Sequence, residues 1–177
     1  MELPLDLLSK LSNKYNSDKY SGHKYTPLYF EKFKDKIEDI KRVCEIGIAT
    51  GASLKMWRDF FPNALIIGID NREDCQLVGE ERIISILADG TTIEDDRLFD
   101  FDLIVDDASH DPDQQIKSFE LLFPKLINTG LYIIEDVDGN SCQKTLAYFK
   151  ELKELNIEFD GQLIMITKEE AIKENGK

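Results

Sequence analysis

The stretch Val43-Cys44-Glu45-Ile46-Gly47-Ile48-Ala49-Thr50-Gly51-Ala52-Ser53 constrains the fold of this chain most: an apolar run meets an acid, then two spaced glycines, then a helical pattern. The physical reading is a strand that turns sharply into a helix. Gly47 and Gly51 carry no Cβ, so a ligand can approach the backbone there. The helix beyond them offers free N–H groups and a partial positive charge, suited to a carboxylate or a phosphate. The spacing is G-x-x-x-G rather than the dinucleotide-binding G-x-G-x-x-G, and glycines after a first strand also serve merely to turn a chain. A second signal lies one strand on. Residues 64–70 form an apolar run ending in Gly68-Ile69-Asp70, about 20 residues after the glycines, where a βαβ unit sets a carboxylate against ribose hydroxyls. Together the two features point to a nucleoside ligand.

The remaining pattern extends the same architecture. Residues 1–12 read as a short amphipathic helix with Leu5, Leu8 and Leu11 on one stripe, and 13–24 as a polar, aromatic loop. Thr26-Pro27 opens a helix, threonine as cap and proline in the first turn. Strands are expected at 42–46, 64–70, 82–87, 101–105 and 131–134, with Asn128-Thr129-Gly130 turning the chain into the last. Helices are expected from 52, from Asp111-Pro112 and over 141–155. A hairpin, 157–159 and 163–167, closes around Asp160-Gly161, and 168–177 is a charged tail. Strands that are apolar almost throughout and alternate with helices argue for a parallel sheet covered on both faces. The expected fold is therefore α/β: a Rossmann-like, doubly wound, mostly parallel seven-stranded sheet with one antiparallel strand. One domain, 1–177, accommodates it, with 1–40 supplying N-terminal helices and a cofactor-covering loop.

Composition removes several function classes. The chain has 22 Lys and Arg against 35 Asp and Glu, a formal charge of −13. Nucleic-acid binding needs a basic face, so that partner is not expected; an anionic membrane surface is disfavoured for the same reason. Cys44, Cys75 and Cys142 stand apart with no C-x-x-C, which gives neither a disulfide framework nor a zinc knuckle and suits a reducing cytoplasm. No signal peptide or bilayer-spanning run is read from the pattern. An exposed sheet edge leaves a homo-oligomer open.

The chemistry-bearing residues fall at strand ends. Asp106-Asp107-Ala108-Ser109-His110 follows the fourth strand and Glu135-Asp136 the fifth. In a doubly wound sheet these ends are neighbours near the switch point. Several carboxylates at one place repel one another unless a cation sits among them, and oxygen ligands favour Mg²⁺ or another hard divalent ion. An imidazole three residues after Asp107 can accept a proton from a substrate hydroxyl. The plainer reading makes these acids solvated strand ends, with Ser109 capping a helix. His23 sits in Asp18-Lys19-x-x-x-His23-x-Tyr25-x-x-x-Tyr29, which either covers the domain edge or closes a cofactor pocket. Trp57, at helical spacing, reads as core.

Through these residues the chain resembles class I S-adenosylmethionine-dependent methyltransferases. More narrowly it is similar to the metal-dependent sugar O-methyltransferases of macrolide and rhamnosyl-polyketide biosynthesis and to cephalosporin-pathway relatives. The matching pieces are Asp18-Lys19 with His23 and Tyr25, Glu45-Ile46-Gly47-x-x-x-Gly51-x-Ser53-Leu54-x-x-Trp57, Phe61-Pro62-Asn63-Ala64, Gly68-Ile69-Asp70, Asp106-Asp107-x-Ser109-His110 and Leu131-Tyr132-Ile133-Ile134-Glu135-Asp136. The resemblance implies that Glu45, Gly47 and Gly51, with Ser53 beside them, line the methionine and ribose part of S-adenosyl-L-methionine. It implies that Asp70 accepts the ribose hydroxyls, that Asp89 stands near the adenine, that Asp106 contacts the methionine end, and that His23 closes the pocket. Asp107, Glu135 and Asp136 would hold Mg²⁺ and His110 would be the general base. The implied acceptor is a small molecule, a sugar or glycosylated metabolite. Against that resemblance the chain reads as shorter than the macrolide enzymes, without the extra N-terminal domain expected of them, which leaves the acceptor open. Two other readings stand beside this one: a nucleotide-linked oxidoreductase on the same fold, against which the missing third glycine argues, and a non-catalytic cofactor-binding or interaction module.

Overall fold

A computed structural model describes residues 5–137 and 139–168. Seven strands form one sheet: β1 (Arg42–Ile46), β2 (Leu65–Asp70), β3 (Ile83–Leu87), β4 (Phe101–Asp106), β5 (Leu126–Ile134), β6 (Leu155–Phe159) and β7 (Ile164–Lys168). Their order across the sheet is β3-β2-β1-β4-β5-β7-β6. The first five run parallel, and β7 runs antiparallel to both of its neighbours. This is the doubly wound sheet with one reversed strand that the alternation of elements predicts. The order turns back between β1 and β4, so a crevice opens beyond their C-terminal ends.

Side-chain alternation along each strand builds two cores. Val43, Ile66, Leu103, Val105 and Ile133 face one side, where they meet Leu8 of α1 (Leu7–Tyr15), Tyr29 and Phe33 of α3 (Thr26–Phe33), and Trp57 and Phe60 of α4 (Ala52–Phe60). Cys44, Ile46, Ile67, Ile69, Ile104 and Tyr132 face the other, against Phe119 and Leu122 of α5 (Pro112–Leu122) and Phe149 of α6 (Gly139–Glu151). Because a strand's side chains alternate, each central strand is apolar on both faces. The acids at the C-terminal ends are buried too, Glu45 and Asp106 within their strands and Glu135 just beyond β5.

Four local expectations are corrected. The polar segment before α3 contains a helical turn, α2 (Asp18–Ser21), capped by the Ser17 side chain; it is not loop throughout. The first helix starts at Leu7 because Asp6 caps it, accepting from Ser9 N at 2.8 Å. Thr26 does not cap α3: the cap position is Tyr25, and the Thr26 hydroxyl is shared with Ser9 Oγ at 2.7 Å. The segment Asn128-Thr129-Gly130 is no turn either. It lies within β5, where the pairing with β4 slips between Phe101 and Leu103. A Cβ on Gly130 would stand 2.9 Å from the Phe101 carbonyl oxygen, so glycine lets the irregular strand pass close to its neighbour. The tail from 169 onward lies outside the described residues.

Candidate functional site

The β1–α4 turn is packed from both sides. Gly47 adopts φ 92°, and a Cβ there would lie 2.2 Å from the Asp107 carbonyl oxygen. Only glycine permits both the conformation and the approach of the segment after β4. Gly47 N donates to Ile69 O at 2.8 Å and Asp107 N to Ile46 O at 2.9 Å, which carries the parallel ladder one step past each strand. Asp70 finishes the turn: its Oδ2 accepts from Ile48 N at 2.8 Å and its Oδ1 from Arg72 N at 2.9 Å. Gly51, at φ 76°, is the cap of α4 and would strike Leu77 if it carried a Cβ.

A cavity of about 830 Å³ opens over this edge. Its wall includes Gly47, Ile48 and Ser53 from the turn and helix, Asp70 after β2, Asp89 after β3, Asp106 to His110 after β4, Asp136 after β5, and Ser17, Asp18 and His23 from the N-terminal segment. Of the expected cofactor contacts, Gly47, Ser53, Asp70, Asp89, Asp106 and His23 therefore line one space. Glu45 and Gly51 are not part of its wall. Glu45 is wholly buried; its Oε2 accepts from Trp57 Nε1 at 2.8 Å. The acid of the glycine motif thus anchors α4 to β1, and the tryptophan read as core is its hydrogen-bond donor.

The acids after β4 and β5 divide into an inner and an outer group. Inside, the Lys19 ammonium reaches Asp107 Oδ2 and Glu135 Oε2, both at 2.7 Å, and Glu45 Oε1 at 3.1 Å. The Tyr29 hydroxyl donates to Glu135 Oε1. Outside, His110 Nε2 lies 3.4 Å from Asp107 Oδ1 and 3.3 Å from Asp136 Oδ2, while Asp136 Oδ1 accepts from the Tyr25 hydroxyl at 2.6 Å and sits 3.1 Å from His23 Nδ1. Asp107 belongs to both groups. Lys19, His23, Tyr25 and Tyr29 thereby strap the N-terminal segment across the strand ends.

The geometry accommodates a divalent ion. Asp107, His110 and Asp136 each bring a ligand atom, and these atoms lie within 4.8 Å of one another. Two carboxylates and an imidazole at a cavity wall suit a hard or borderline divalent cation. The set expected from sequence, Asp107, Glu135 and Asp136, shares two members with this one. Glu135 differs because both of its oxygens are taken by Lys19 and Tyr29.

Electrostatics follows from burial. Burial would lower the Lys19 ammonium, but the charges of Glu135, Glu45 and Asp107 outweigh it and hold the group protonated. Burial alone pushes Asp107 up; Lys19 reverses this and holds it below the usual carboxylate range. Asp106, 1% exposed and with Oδ2 unpartnered, is pushed up to about 7 by burial. The hydrogen bond to Asp107 raises His110, partial burial opposes it, and Asp136 adds to the rise.

Lys19, Tyr25 and Tyr29 are site residues that the sequence reading names only as part of the N-terminal segment, with no individual role. The signal is present in the sequence: Lys19, His23, Tyr25 and Tyr29, close together in one segment, are the donors that a buried acidic strand edge requires.

No protein-family model matches the chain. Demethylmacrocin O-methyltransferase of Streptomyces fradiae is 36% identical to it over 143 residues, covering 73% of this chain and 36% of the relative. Mycinamicin VI 2''-O-methyltransferase of Micromonospora griseorubida is 38% identical over 143 residues, again 73% of this chain and 36% of the relative. The chain thus spans little more than a third of the length of these relatives. Among solved structures, the MycE methyltransferase from the mycinamycin biosynthetic pathway, in complex with Mg and SAH, superimposes with a TM-score of 0.81 at 29% identity, covering 98% of this chain and 57% of that one. The SAH-bound Podospora anserina methyltransferase PaMTH1 shares the fold, with a TM-score of 0.67 at 17% identity over 94% of this chain and 89% of its own.

Proposed function

We propose that this chain is a class I S-adenosylmethionine-dependent methyltransferase that transfers a methyl group from S-adenosylmethionine to a hydroxyl of a sugar or glycosylated small molecule. The observation that carries the reading is the single cavity in which the Gly47 turn, Asp70 and the pair Asp107 and His110 share one wall. Residues 1–177 serve in this reading as one methyltransferase domain, and the free buried thiols of Cys44 and Cys75 suit a cytoplasmic setting. Among the described residues no helix is long and apolar enough to cross a membrane.

The cofactor fits the wall because the Gly47 turn leaves room beside the backbone and Asp70 stands where ribose hydroxyls would be met. His23 and Asp18 cover the space from the N-terminal side. His110, at the rim and half-exposed, takes the proton from the acceptor hydroxyl; Asp107 and Asp136 hold its ring and favour the imidazolium that results. Asp107 and Asp136 would hold the divalent ion, with Glu135 or His110 as a third group. When bound, such an ion orients acceptor oxygens and makes a hydroxyl more acidic. The sulfonium loses its charge as the methyl leaves, so alignment of acceptor and cofactor supplies much of the rate.

Calorimetric titration of S-adenosylhomocysteine, with and without Mg²⁺, tests the reading. Micromolar binding supports the cofactor pocket, whereas no binding of either ligand would return the glycine turn to architecture alone. A chelator that abolishes methylation of a sugar acceptor separates this enzyme from a non-catalytic module.

A further inference from the structure

The inner acid group contains a cation that the chain supplies itself. Lys19 is 1% exposed, among the most deeply buried large side chains of the protein, and it comes from a four-residue helical turn between α1 and α3. Its ammonium touches three carboxylates, Glu45 on β1 and the first residues after β4 and β5, Asp107 and Glu135. Glu45 and Glu135 are almost wholly inaccessible, and burial pushes both carboxyls up, so their ionised forms depend on a cation beside them. The outer group, a few ångströms away, is the arrangement able to take an ion from solvent, and Asp107 is shared: Oδ2 is on Lys19 and Oδ1 faces His110. Two cationic positions therefore draw on one carboxylate. Glu135 can serve the outer position only if Lys19 releases it, since Tyr29 holds its other oxygen.

We propose that the Lys19 ammonium is a tethered cation that competes with a divalent ion for Asp107 and Glu135, so that ion loading is coupled to the position of the α2 segment. Lys19 is thus a positioning residue: it keeps the acids gathered when no ion is present and yields them when one arrives. Because Ser17, Asp18 and His23 of the same segment line the cofactor cavity, the exchange of cations also adjusts that wall. The inference rests on the proposed function only in supposing that an ion is used.

The test is Mn²⁺ affinity, read by electron paramagnetic resonance of the free ion, in the wild type, Lys19→Met and Lys19→Arg, with S-adenosylhomocysteine affinity measured in parallel. Removing the competing charge should tighten Mn²⁺ binding by about tenfold or more in Lys19→Met, while Lys19→Arg, which keeps the charge, stays within about threefold of wild type. Unchanged or weaker Mn²⁺ binding in a folded Lys19→Met overturns the proposal. Where Lys19→Met does not fold, hydrogen exchange in the wild type decides: Mn²⁺ should speed exchange over 17–24, and unchanged or slower exchange there overturns it. Loss of S-adenosylhomocysteine binding by the wild type strikes the proposed function instead, and leaves the Mn²⁺ comparison standing.

Discussion

His110 and Asp136 both hold their backbones in the left-handed region, φ 55° each, and the imidazole Nε2 of one lies 3.3 Å from Oδ2 of the other. Neither is a glycine, and each such conformation costs of order 1–3 kcal/mol. Anchors on the C-terminal side of each residue sustain the cost. Next to His110, Asp111 caps α5 through the N–H groups of Asp113 and Gln114, both at 3.1 Å. Next to Asp136, Val137 N is held by Gln162 O at 2.9 Å. The pair is thereby aimed at one point from two strand ends.

Replacing His110 with alanine should lower kcat by about 10²–10⁴-fold, the usual worth of a positioned base, and leave S-adenosylhomocysteine affinity within a few-fold of wild type. Calorimetry and a methyl-transfer assay check the two halves. Loss of cofactor binding in this variant would show that His110 belongs to the pocket wall and not to proton transfer.

The pH profile has a defined sign. A base must be neutral to act, and the contacts with Asp107 and Asp136 raise His110 above its ordinary 6.5. Activity should therefore rise with pH, with its midpoint above that value. Asp136→Asn removes one of the raising charges, so the midpoint should move to lower pH. A midpoint that stays put in Asp136→Asn would assign the profile to another group.

Gly47→Ala should destabilise the protein far more than Gly79→Ala. Both glycines have positive φ, 92° and 79°, but only Gly47 has an atom in the way, at 2.2 Å, while nothing lies within 4 Å of a Cβ at Gly79. Strain alone costs roughly 1–3 kcal/mol in each; the collision adds to it at Gly47. Urea unfolding of the two variants separates the terms, and equal losses would refute the close packing of the turn on Asp107.

Acid stability has a contribution remote from the cavity. Partial burial pushes Asp59 up, but hydrogen bonds from Lys14, Tyr15 and Arg58 outweigh it and bring the group from 3.8 to about 2. A carboxylate whose folded value is depressed stabilises the fold above its unfolded value and loses that contribution as pH falls through the folded one. Wild type should therefore exceed Asp59→Asn in unfolding free energy by a constant amount above about pH 5, with the gap closing toward pH 2. A gap independent of pH would mean that the hydrogen bonds, and not the charge, set the difference.

The sheet was legible because its signals are local. β1 and the start of α4 fall where the apolar runs and the glycines place them, since a strand buried on both faces must be apolar throughout. The Asn128-Thr129-Gly130 segment misled because turn composition also suits a strand irregularity, and only the passage of Phe101 beside Gly130 tells the two apart. Thr26 misled because a hydroxyl that suits a cap found a tertiary partner in Ser9. At the site, the residues on the strand ends could be named from the sequence, but their division into inner and outer groups could not. That division is set by Lys19, which reaches Asp107 and Glu135 across 88 and 116 residues, and no pattern within a segment reports a contact of that range.

The same separation bears on the order in which the molecule comes into being. Lys19, Tyr25 and Tyr29 leave the ribosome before the acids they will hold, and their contacts with Glu135 and Asp136 form only once β5 has been made and has joined β4. Closing so long a loop is slow relative to pairing neighbours, so the strap from the N-terminal segment to Glu135 and Asp136 closes late. The cavity wall is then among the last parts of the protein to set, and a chain interrupted before Glu135 has a glycine turn but no closed site.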